Sequence, residues 1–405
     1  MINFIKIALF CVFLSCSSSA FAQGYALEKV KTLDEPGDTL LYEIVSHRNG
    51  SIWVSGLVSQ GVATSNKYYS KIYQLDKNLS PVCALVFNQS QKLYIRTIKP
   101  DHITNDIWFS GYSLDQLGKN EGLFGRIDKD CKIVQQISIK GEYDITGTDF
   151  VQNGDGSFTL INNVENGPQG KGDIGILRVT KALDQISSKI DGTPLNQTSS
   201  AVQRYGDSII YIEKTNSPTD SSRASWSIRR KSEHNYGGST LTSSGSRLND
   251  IHVKDDGSVI GVGRTKNNSM QYEGIYIVDV NSTGEDKKFK ILKETAKFAL
   301  ANAETIIDWD DGQYLLGGFT SSLDGQKGYV ASIDKNLNIT SDFEFQINGL
   351  ETDIQDIVKN TQGGFWAVGG AYTKETKNFT GFLALISDQS ENTNEIENLN
   401  ELVSE

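Results

Sequence analysis

A repeat of roughly 50 residues runs through this chain and constrains its fold more than any other feature. Seven short apolar segments begin 50 to 55 residues apart, at Ile52, Ile107, Phe158, Ile209, Val259, Tyr314 and Phe365. Most of them follow a turn built from Gly, Asn or Asp, such as Asp155-Gly156 or Asp256-Gly257. Such turns are typical of β-hairpins, because the tight turn between two antiparallel strands needs residues with a positive φ, which Gly and Asn tolerate. The repeat therefore predicts seven β-hairpins in tandem.

Each repeat unit has room for four short strands. In five of the seven units a glycine follows four residues into the apolar segment, at Gly56, Gly111, Gly263, Gly318 and Gly369. Glycine weakens a strand, so its recurrence predicts that another backbone or a large side chain passes close by. A further glycine, as at Gly328, opens a third strand in most units, and an Asp turn such as Asp334-Lys335-Asn336 leads to a fourth. Seven such units predict an all-β, seven-bladed β-propeller of four-stranded blades over residues 23–388.

The two ends of the chain are predicted to complete one blade together. The seventh unit runs out after its third strand, Gly381 to Ile386, and an extra segment, Leu27 to Leu33, precedes the first unit. We expect this N-terminal segment to supply the missing outer strand, because pairing the ends removes the junction at which the ring would open.

The repeat resembles the bacterial secreted or periplasmic β-propeller repeat proteins. Their units run from Asp-Gly-Gly into an apolar strand that ends in Gly, and then through Gly and apolar residues to Asp. Asp311 to Phe319 followed by Gly328 to Asp334 matches this pattern best. Gly317-Gly318 is also similar to kelch repeats, but the later Tyr and Trp of kelch units are out of register here. The resemblance implies an exported propeller and carries no catalytic signature.

The first 22 residues have the features of a secretory signal peptide. Lys6 gives a positive start, Ile7 to Leu14 is an apolar run too short to span a bilayer, and Ala20-Phe21-Ala22 is a small-x-small cleavage site. The predicted location is the periplasm or the cell exterior. Lipid attachment at Cys16 is an alternative, although Leu14 lies where a bacterial lipobox usually has a small residue. Residues 389–405 are interpreted as an acidic C-terminal tail.

Charge and hydropathy limit the possible partners. The chain has 39 Lys and Arg against 50 Asp and Glu, and this formal net charge of −11 disfavours nucleic acid as a partner. No apolar stretch after the signal approaches 18 residues, so no membrane span is predicted. The four histidines lack metal-ligand spacing, and neither a phosphate loop nor a Gly-x-Ser-x-Gly elbow occurs. We expect a monomer without a cofactor or metal.

Two cysteines lie beyond the signal, Cys83 and Cys131. In an oxidising compartment they can form one disulfide. Two partly buried thiols are the alternative, because sequence alone does not bring their Cα atoms within the ~7 Å that a bridge requires.

One equivalent position on the innermost strands carries polar side chains in every unit. Counting nine residues back from each second strand, with one inserted residue in blade two, gives Glu43, Thr97, Asp149, Ser200, Asp250, Thr305 and Asp356. This set is named the channel ring. Oxygen ligands converging on one axis suit a hard cation or a polar ligand. Alternatively, each side chain accepts backbone N–H groups of its own or the next blade, as buried carboxylates require.

Two further groups of residues allow a structural and a functional interpretation. Trp53, Trp108 and Trp366 share one position in neighbouring blades, where they either pack between sheets or present a platform for sugar rings. Blade four gathers basic residues that form either a solvated strand or a patch for an acidic partner. These are Arg223, Arg229, Arg230, Lys231 and His234.

The functional hypotheses follow from the loops. Loops between second and third strands are longer than the hairpin turns and share one face, on which propeller function is expected. They comprise residues 59–69, 114–121, 165–173, 215–223, 266–273, 321–327 and 373–378. The first hypothesis is an exported, non-catalytic propeller that binds a protein or glycan partner through this long-loop face. The alternative is a propeller enzyme, a polysaccharide hydrolase or lyase, that uses channel-mouth carboxylates such as Asp149 or Asp250.

Overall fold

A computed structural model describes residues 25–388 with short gaps. The gaps are residues 34, 36, 48, 61–66, 88–92, 102, 105, 116, 166, 168–171, 192–195, 217–224, 233–242, 245, 267–271, 285–286, 295–299, 311, 362 and 374–378. The proposed signal peptide, the acidic tail, Arg223 and His234 lie outside the described residues. The part of the chain that is described contains no helix that could cross a bilayer.

Seven four-stranded antiparallel sheets form a ring, which confirms the predicted seven-bladed propeller. Blade one comprises β2 (Thr39–Ser46), β3 (Ile52–Gln60), β4 (Lys67–Leu75) and β5 (Pro81–Val86). Blade two comprises β6 (Leu93–Pro100), β7 (Ile107–Leu114), β8 (Asn120–Ile127) and β9 (Ile133–Ile139). Blade three comprises β10 (Asp144–Gln152), β11 (Phe158–Glu165), β12 (Gly172–Val179) and β13 (Gln185–Asp191).

The remaining blades repeat this order from the axis outward. Blade four comprises β14 (Asn196–Tyr205), β15 (Ser208–Asn216), β16 (Ser225–Ser232) and a two-residue β17 (Ser243–Ser244). Blade five comprises β18 (Ser246–Val253), β19 (Val259–Lys266), β20 (Tyr272–Val280) and β21 (Lys287–Glu294). Blade six comprises β22 (Ala301–Asp308), β23 (Tyr314–Ser322), β24 (Gly325–Ile333) and β25 (Ile339–Phe345). Blade seven comprises β26 (Glu351–Lys359), β27 (Phe365–Tyr372), β28 (Phe379–Asp388) and β1 (Tyr25–Leu33).

The N-terminal strand closes the ring as predicted. β1 pairs antiparallel with β28, from Tyr25 opposite Asp388 to Leu33 opposite Gly381. The first and last strands of the described chain therefore belong to one sheet, and separating blade seven from blade one requires breaking that sheet.

The strand glycines mark the closest approach of two backbones. At Gly318 an added Cβ would lie 2.0 Å from the carbonyl oxygen of Asn302, and at Gly263 it would lie 1.9 Å from that of Arg247. Both carbonyls belong to the innermost strand of the same blade, just before a β-bulge that interrupts its register. The bulge pushes the backbone toward the second strand, so only glycine fits there without displacement.

Apolar side chains fill the spaces between adjacent sheets. Trp53, Trp108 and Trp366 are 0%, 1% and 3% exposed, so the structure assigns all three to packing. Trp108 stacks on Phe124 and donates its indole N–H to Asp101 at 3.0 Å, while Trp366 belongs to the cluster shared by blades seven and one. Their burial leaves the three tryptophans unavailable to a sugar.

A disulfide links blades one and two. Cys83 of β5 and Cys131 of the turn after β8 are bonded, with their Cα atoms 6.1 Å apart. Cys131 is buried in the apolar cluster between the two blades, and Cys83 packs against it. The bond therefore joins the outer parts of two neighbouring sheets.

Replacing both cysteines by alanine is expected to lower the free energy of unfolding by about 2–4 kcal/mol, because the bond closes a long loop of the unfolded chain. Urea unfolding of the oxidised protein, the reduced protein and the double variant measures this. Reductant should leave the double variant unchanged. Equal midpoints for the oxidised protein and the double variant would contradict the stabilising role.

Candidate functional site

The cavity at the centre of the ring collects the innermost strands of the blades. It has a volume of about 410 Å³, and all seven predicted channel-ring residues line it. They reach it because each innermost strand has a bulge immediately before the ring position, as between Leu41 and Glu43 or between Ile354 and Asp356. The polar residues that recur on these strands are thus the ones whose side chains face the channel axis.

Blade four departs from this register by one residue. Its first hairpin is one residue shorter, since Arg204 pairs with Ile209, whereas in blade three Gln152 pairs with Phe158. The position equivalent to Glu43 is therefore Ala201, and Ser200 lies one residue earlier, in the bulge. Ser200 still lines the cavity, and its buried hydroxyl has no hydrogen-bond partner in the described part of the chain.

The four ring carboxylates join neighbouring blades through backbone amides. The ring carboxylates belong to blades one, three, five and seven. Each accepts a backbone N–H from the next blade around the ring, and the donor is the residue that follows the ring position of that next blade. Glu43 accepts from Ile98 at 2.7 Å, Asp149 from Val202 at 2.8 Å, Asp250 from Ile306 at 3.0 Å, and Asp356 from Ile44 at 3.0 Å. Every blade takes part in at least one such contact, and the contact of Asp356 holds the closing interface.

Further hydrogen bonds occupy the same carboxylates. Asp149, Asp250 and Asp356 each accept the N–H of the residue that follows them, at 2.7 to 2.8 Å. Lys99 of blade two forms an ion pair with Asp149 at 2.7 Å, and the Thr305 hydroxyl donates to Asp356 at 3.1 Å. These contacts favour the structural interpretation of the channel ring.

Burial changes the ionisation of the ring. Desolvation raises the pKa of Asp356 to about 7 and that of Asp250 to about 6, against the opposing effect of their backbone hydrogen bonds. Desolvation also raises the pKa of Glu43 well above its ordinary value, and the nearby charge of Asp356 adds to this. Near neutral pH the ring is therefore only partly ionised.

A second layer of side chains lies at the mouth of the cavity, toward the long-loop face. Lys214 of β15, Arg247 of β18 and Glu304 of β22 line the cavity there, on blades four, five and six. Arg264 of β19 pairs with Arg247 across the sheet and interacts electrostatically with Lys214 and Glu304. Lys214, Arg247, Arg264 and Glu304 are named the charged wall.

The charged wall has more positive than negative groups. Lys214 is half-buried and forms neither a hydrogen bond nor an ion pair with a described residue. Desolvation, reinforced by the charge of Arg247, lowers the pKa of Lys214 to about 7. Desolvation raises the pKa of Glu304, although the three cations oppose this rise, and its carboxylate accepts a hydrogen bond from the Asn302 amide.

The opposite side of the mouth is formed by blades seven, one and two. Gln355 donates its amide to Asp353 at 2.8 Å, and the Tyr42 hydroxyl donates to the Ile95 carbonyl. Arg96 is exposed, lines the cavity and lies over the ring of Tyr112 at 5.7 Å from the ring centroid. Tyr112 stacks on Tyr94 at 4.9 Å between ring centroids.

The basic residues that the sequence singled out in blade four have structural partners. Arg229 forms an ion pair with Glu213 at 2.8 Å, and Lys231 pairs with Asp191 of blade three. Arg230 donates to backbone carbonyls of Ser282 and Gly257 in blade five. These three side chains are thus engaged in contacts within and between blades, and the unpaired lysine of this blade is Lys214.

The described residues contain no cluster of three or more His, Cys, Asp or Glu side chains arranged to hold a metal ion. The sequence did not identify the charged wall, because its members lie outside the ring position. For Glu304 the sequence does contain a signal, because the residue just before the ring position is polar or aromatic in nearly every blade, as Tyr42, Arg96, Asn249, Glu304 and Gln355 show. The other three members of the wall lie at other positions.

Comparison with known proteins defines the class of this protein by its fold. No protein-family model matches the sequence, and no curated protein matches it. The chain is similar in structure to the polysaccharide lyase Uly1, with a TM-score of 0.56 and 9% identity over 89% of this chain and 99% of that one. It is also similar to the β-propeller domain of the Trilobed protease from Pyrococcus furiosus, with a TM-score of 0.51 and 10% identity over 86% and 93% of the chains.

At these identities the likeness shows the fold alone. The chain is a seven-bladed β-propeller. The Pyrococcus domain is described as having an open velcro topology, whereas here β1 pairs with β28 and completes the last blade.

Proposed function

We propose that this protein is a non-catalytic propeller that binds a glycan at the mouth of its central channel. The observation that carries the proposal is the division of the cavity into two layers. The floor consists of carboxylates that accept backbone amides, while the mouth presents Lys214 and Arg247, which form no hydrogen bond or ion pair with a described residue. The side chains of Lys214 and Arg247 make no evident contribution to blade packing and can bind a ligand.

The shape of the site favours a glycan over a protein partner. A concave site of about 410 Å³ with polar lining fits one or two sugar rings, and hydroxyl groups can bond to Asn249, Glu304 and Gln355. The stacked pair of Tyr94 and Tyr112 lies beside Arg96 and offers aromatic surface next to the cavity. A protein partner would call instead for an apolar centre with a polar rim.

The alternative of a propeller enzyme needs carboxylates that are free to act as acid, base or nucleophile. Glu43, Asp149, Asp250 and Asp356 each accept at least one backbone N–H, and a proton-transfer role would compete with these bonds. Binding without catalysis is therefore the better supported function. The likeness to a polysaccharide lyase is one of fold and does not change this preference.

We also propose that the protein acts in the periplasm or outside the cell as a monomer. The leader sequence and the bond between Cys83 and Cys131 support an oxidising compartment. The net charge of −11 supports solubility in that compartment and disfavours nucleic acid.

Filling the mouth is expected to abolish glycan binding. Thr146 of β10 lines the cavity, so Thr146→Trp should occupy space that a sugar needs. Purified wild type and variant are applied to an array of neutral, acidic and sulfated oligosaccharides. Gln136→Trp, on the exposed outer strand β9, is the matched control.

Wild type and the Gln136→Trp control should bind the same glycans, and Thr146→Trp should lose at least tenfold in affinity with an unchanged melting temperature. Equal binding by both tryptophan variants would show that the mouth is not the site. Binding to no glycan on the array, together with saturable binding to a purified envelope protein, would replace the glycan proposal by a protein partner.

A further inference from the structure

The charged wall has one more feature that bears on the ligand. It brings Lys214 and Arg247 into electrostatic contact with each other and with the Glu304 carboxylate, in a protein that has 11 more acidic than basic residues. Lys214 and Arg247 come from different blades, and neither forms an ion pair with a described residue. Glu304 offsets part of this positive charge, but desolvation and the charge of Arg247 still disfavour the protonated form of Lys214. An anion bound between Lys214 and Arg247 would therefore stabilise both charged side chains.

We propose that the mouth recognises an acidic group of the glycan, a carboxylate or a sulfate, which binds between Lys214 and Arg247. This inference rests on the proposed function and narrows its ligand to acidic glycans. Arg247 can donate two parallel hydrogen bonds to a planar carboxylate, and Lys214 supplies a point charge from the neighbouring blade. Glu304, next to them, is placed to accept a hydroxyl group of the same sugar.

The floor of the cavity does not prevent this binding. Its carboxylates are turned toward backbone amides of the next blade, and Lys99 neutralises Asp149. Arg96 adds a further positive charge on the opposite side of the cavity. An anion that enters the cavity therefore contacts positively charged side chains first, and the ring carboxylates lie deeper.

The same groups predict a pH dependence of binding. As pH rises through about 7, Lys214 loses its proton, and Asp250 and Asp356 become ionised, so all three changes weaken the binding of an anion. The other charged groups around Lys214 and the cavity are Arg96, Lys99, Arg247, Arg264, Glu43, Asp149, Glu304 and Asp353. Affinity for an acidic glycan should thus be higher at pH 5.5 than at pH 8.5.

Titration calorimetry with two matched pairs of ligands tests the inference. One pair is trigalacturonate and its methyl ester, and the other is sulfated maltotriose and maltotriose. At pH 5.5 the wild type should bind at least one acidic ligand about tenfold or more tightly than its neutral counterpart, a difference of about 1.4 kcal/mol. The carboxylate pair and the sulfate pair together identify which anion the site accepts.

Substitutions in the charged wall test whether its side chains cause the preference for acidic ligands. Lys214→Met and Arg247→Gln should each lose about tenfold in affinity for the acidic ligand and keep the melting temperature of the wild type. Lys132→Met removes one charge from the exposed turn after β8 and should change nothing. Lys214→Arg stays charged at high pH and should keep more of its affinity at pH 8.5 than the wild type does.

Equal affinity for the acidic and neutral members of both pairs, or no binding of either acidic ligand, would overturn the inference. So would equal loss in Lys132→Met and Lys214→Met. The glycan array decides the proposed function separately, because its neutral sugars reveal a glycan site that does not require an acid.

Discussion

The Gly318→Val variant is expected to lose about 4 kcal/mol or more of its free energy of unfolding, because overpacking against backbone is among the costliest core changes. An added Cβ would lie 2.0 Å from the Asn302 carbonyl oxygen and 2.9 Å from the Ala303 Cα. Both atoms belong to the neighbouring strand of the same sheet. They cannot move without breaking the pairing of β22 with β23.

Urea unfolding of purified protein measures this change. Gly141→Val is the matched control, since an added Cβ there meets the tip of the Ile145 side chain at 3.3 Å and the Tyr143 backbone nitrogen only at 3.9 Å. The control should stay within about 0.5 kcal/mol of the wild type, as is usual for surface sites. If Gly318→Val were as stable as the control, the close approach of the two strands would be wrong.

The Asp356→Ala variant is expected to lose about 3–4 kcal/mol, because two buried N–H groups would be left without an acceptor at roughly 1–3 kcal/mol each. The donors are Ile44 of blade one and Ile357 of blade seven. Removing the carboxylate therefore loosens the interface at which the ring closes. Asp356→Asn keeps one acceptor oxygen and should lose less.

Asp324→Ala provides the control for this change. Asp324 is exposed in the turn between β23 and β24, so its removal should alter the unfolding midpoint very little. Hydrogen exchange adds a local measurement, in which the amides of β1 and β28 should exchange faster in Asp356→Ala than in the wild type. Equal stability of Asp356→Ala and Asp324→Ala would show that the ring carboxylates do not hold the blades.

The scaffold could be predicted because its determinants are local and repeated. Turns such as Asp155-Gly156 recur at nearly constant spacing, so hairpin follows hairpin along the chain. The number of strands in the seventh unit predicts that the segment Leu27 to Leu33 pairs with the end of blade seven. In the structure β1 pairs with β28, the third strand of that blade. The recurring strand glycine predicts that another backbone or a large side chain passes close by, and at Gly318 the neighbour is a backbone.

The ring position was predicted by counting residues back from the second strand, and this count is wrong in blade four because its first hairpin is shorter. Blade four turns within fewer residues than the others, which shifts its ring position from Ser200 to Ala201. Its second strand also begins at Ser208, one residue before the predicted Ile209. A shift of one residue is invisible in composition, yet it exchanges a hydroxyl for a methyl group at the axis.

The charged wall could not be predicted because it depends on contacts between blades. Lys214, Arg247 and Glu304 are separated by 33 and 57 residues in sequence, and the ring closure brings them together. A bulge in each innermost strand adds one residue to the count, so side chains beside the ring position also reach the cavity. The sequence left two interpretations of the ring open, a ligand site and a set of acceptors for backbone N–H groups, and the observed hydrogen bonds favour the second.

A crystal structure of the protein with a glycan selected from the array would locate the binding site. We expect a sugar at the mouth of the central channel, in contact with Lys214, Arg247 and Glu304, while Asp250 and Asp356 keep their backbone partners. A sugar bound at the outer strands or on the hairpin face would contradict this expectation, as would one that displaces the backbone amides from the ring carboxylates.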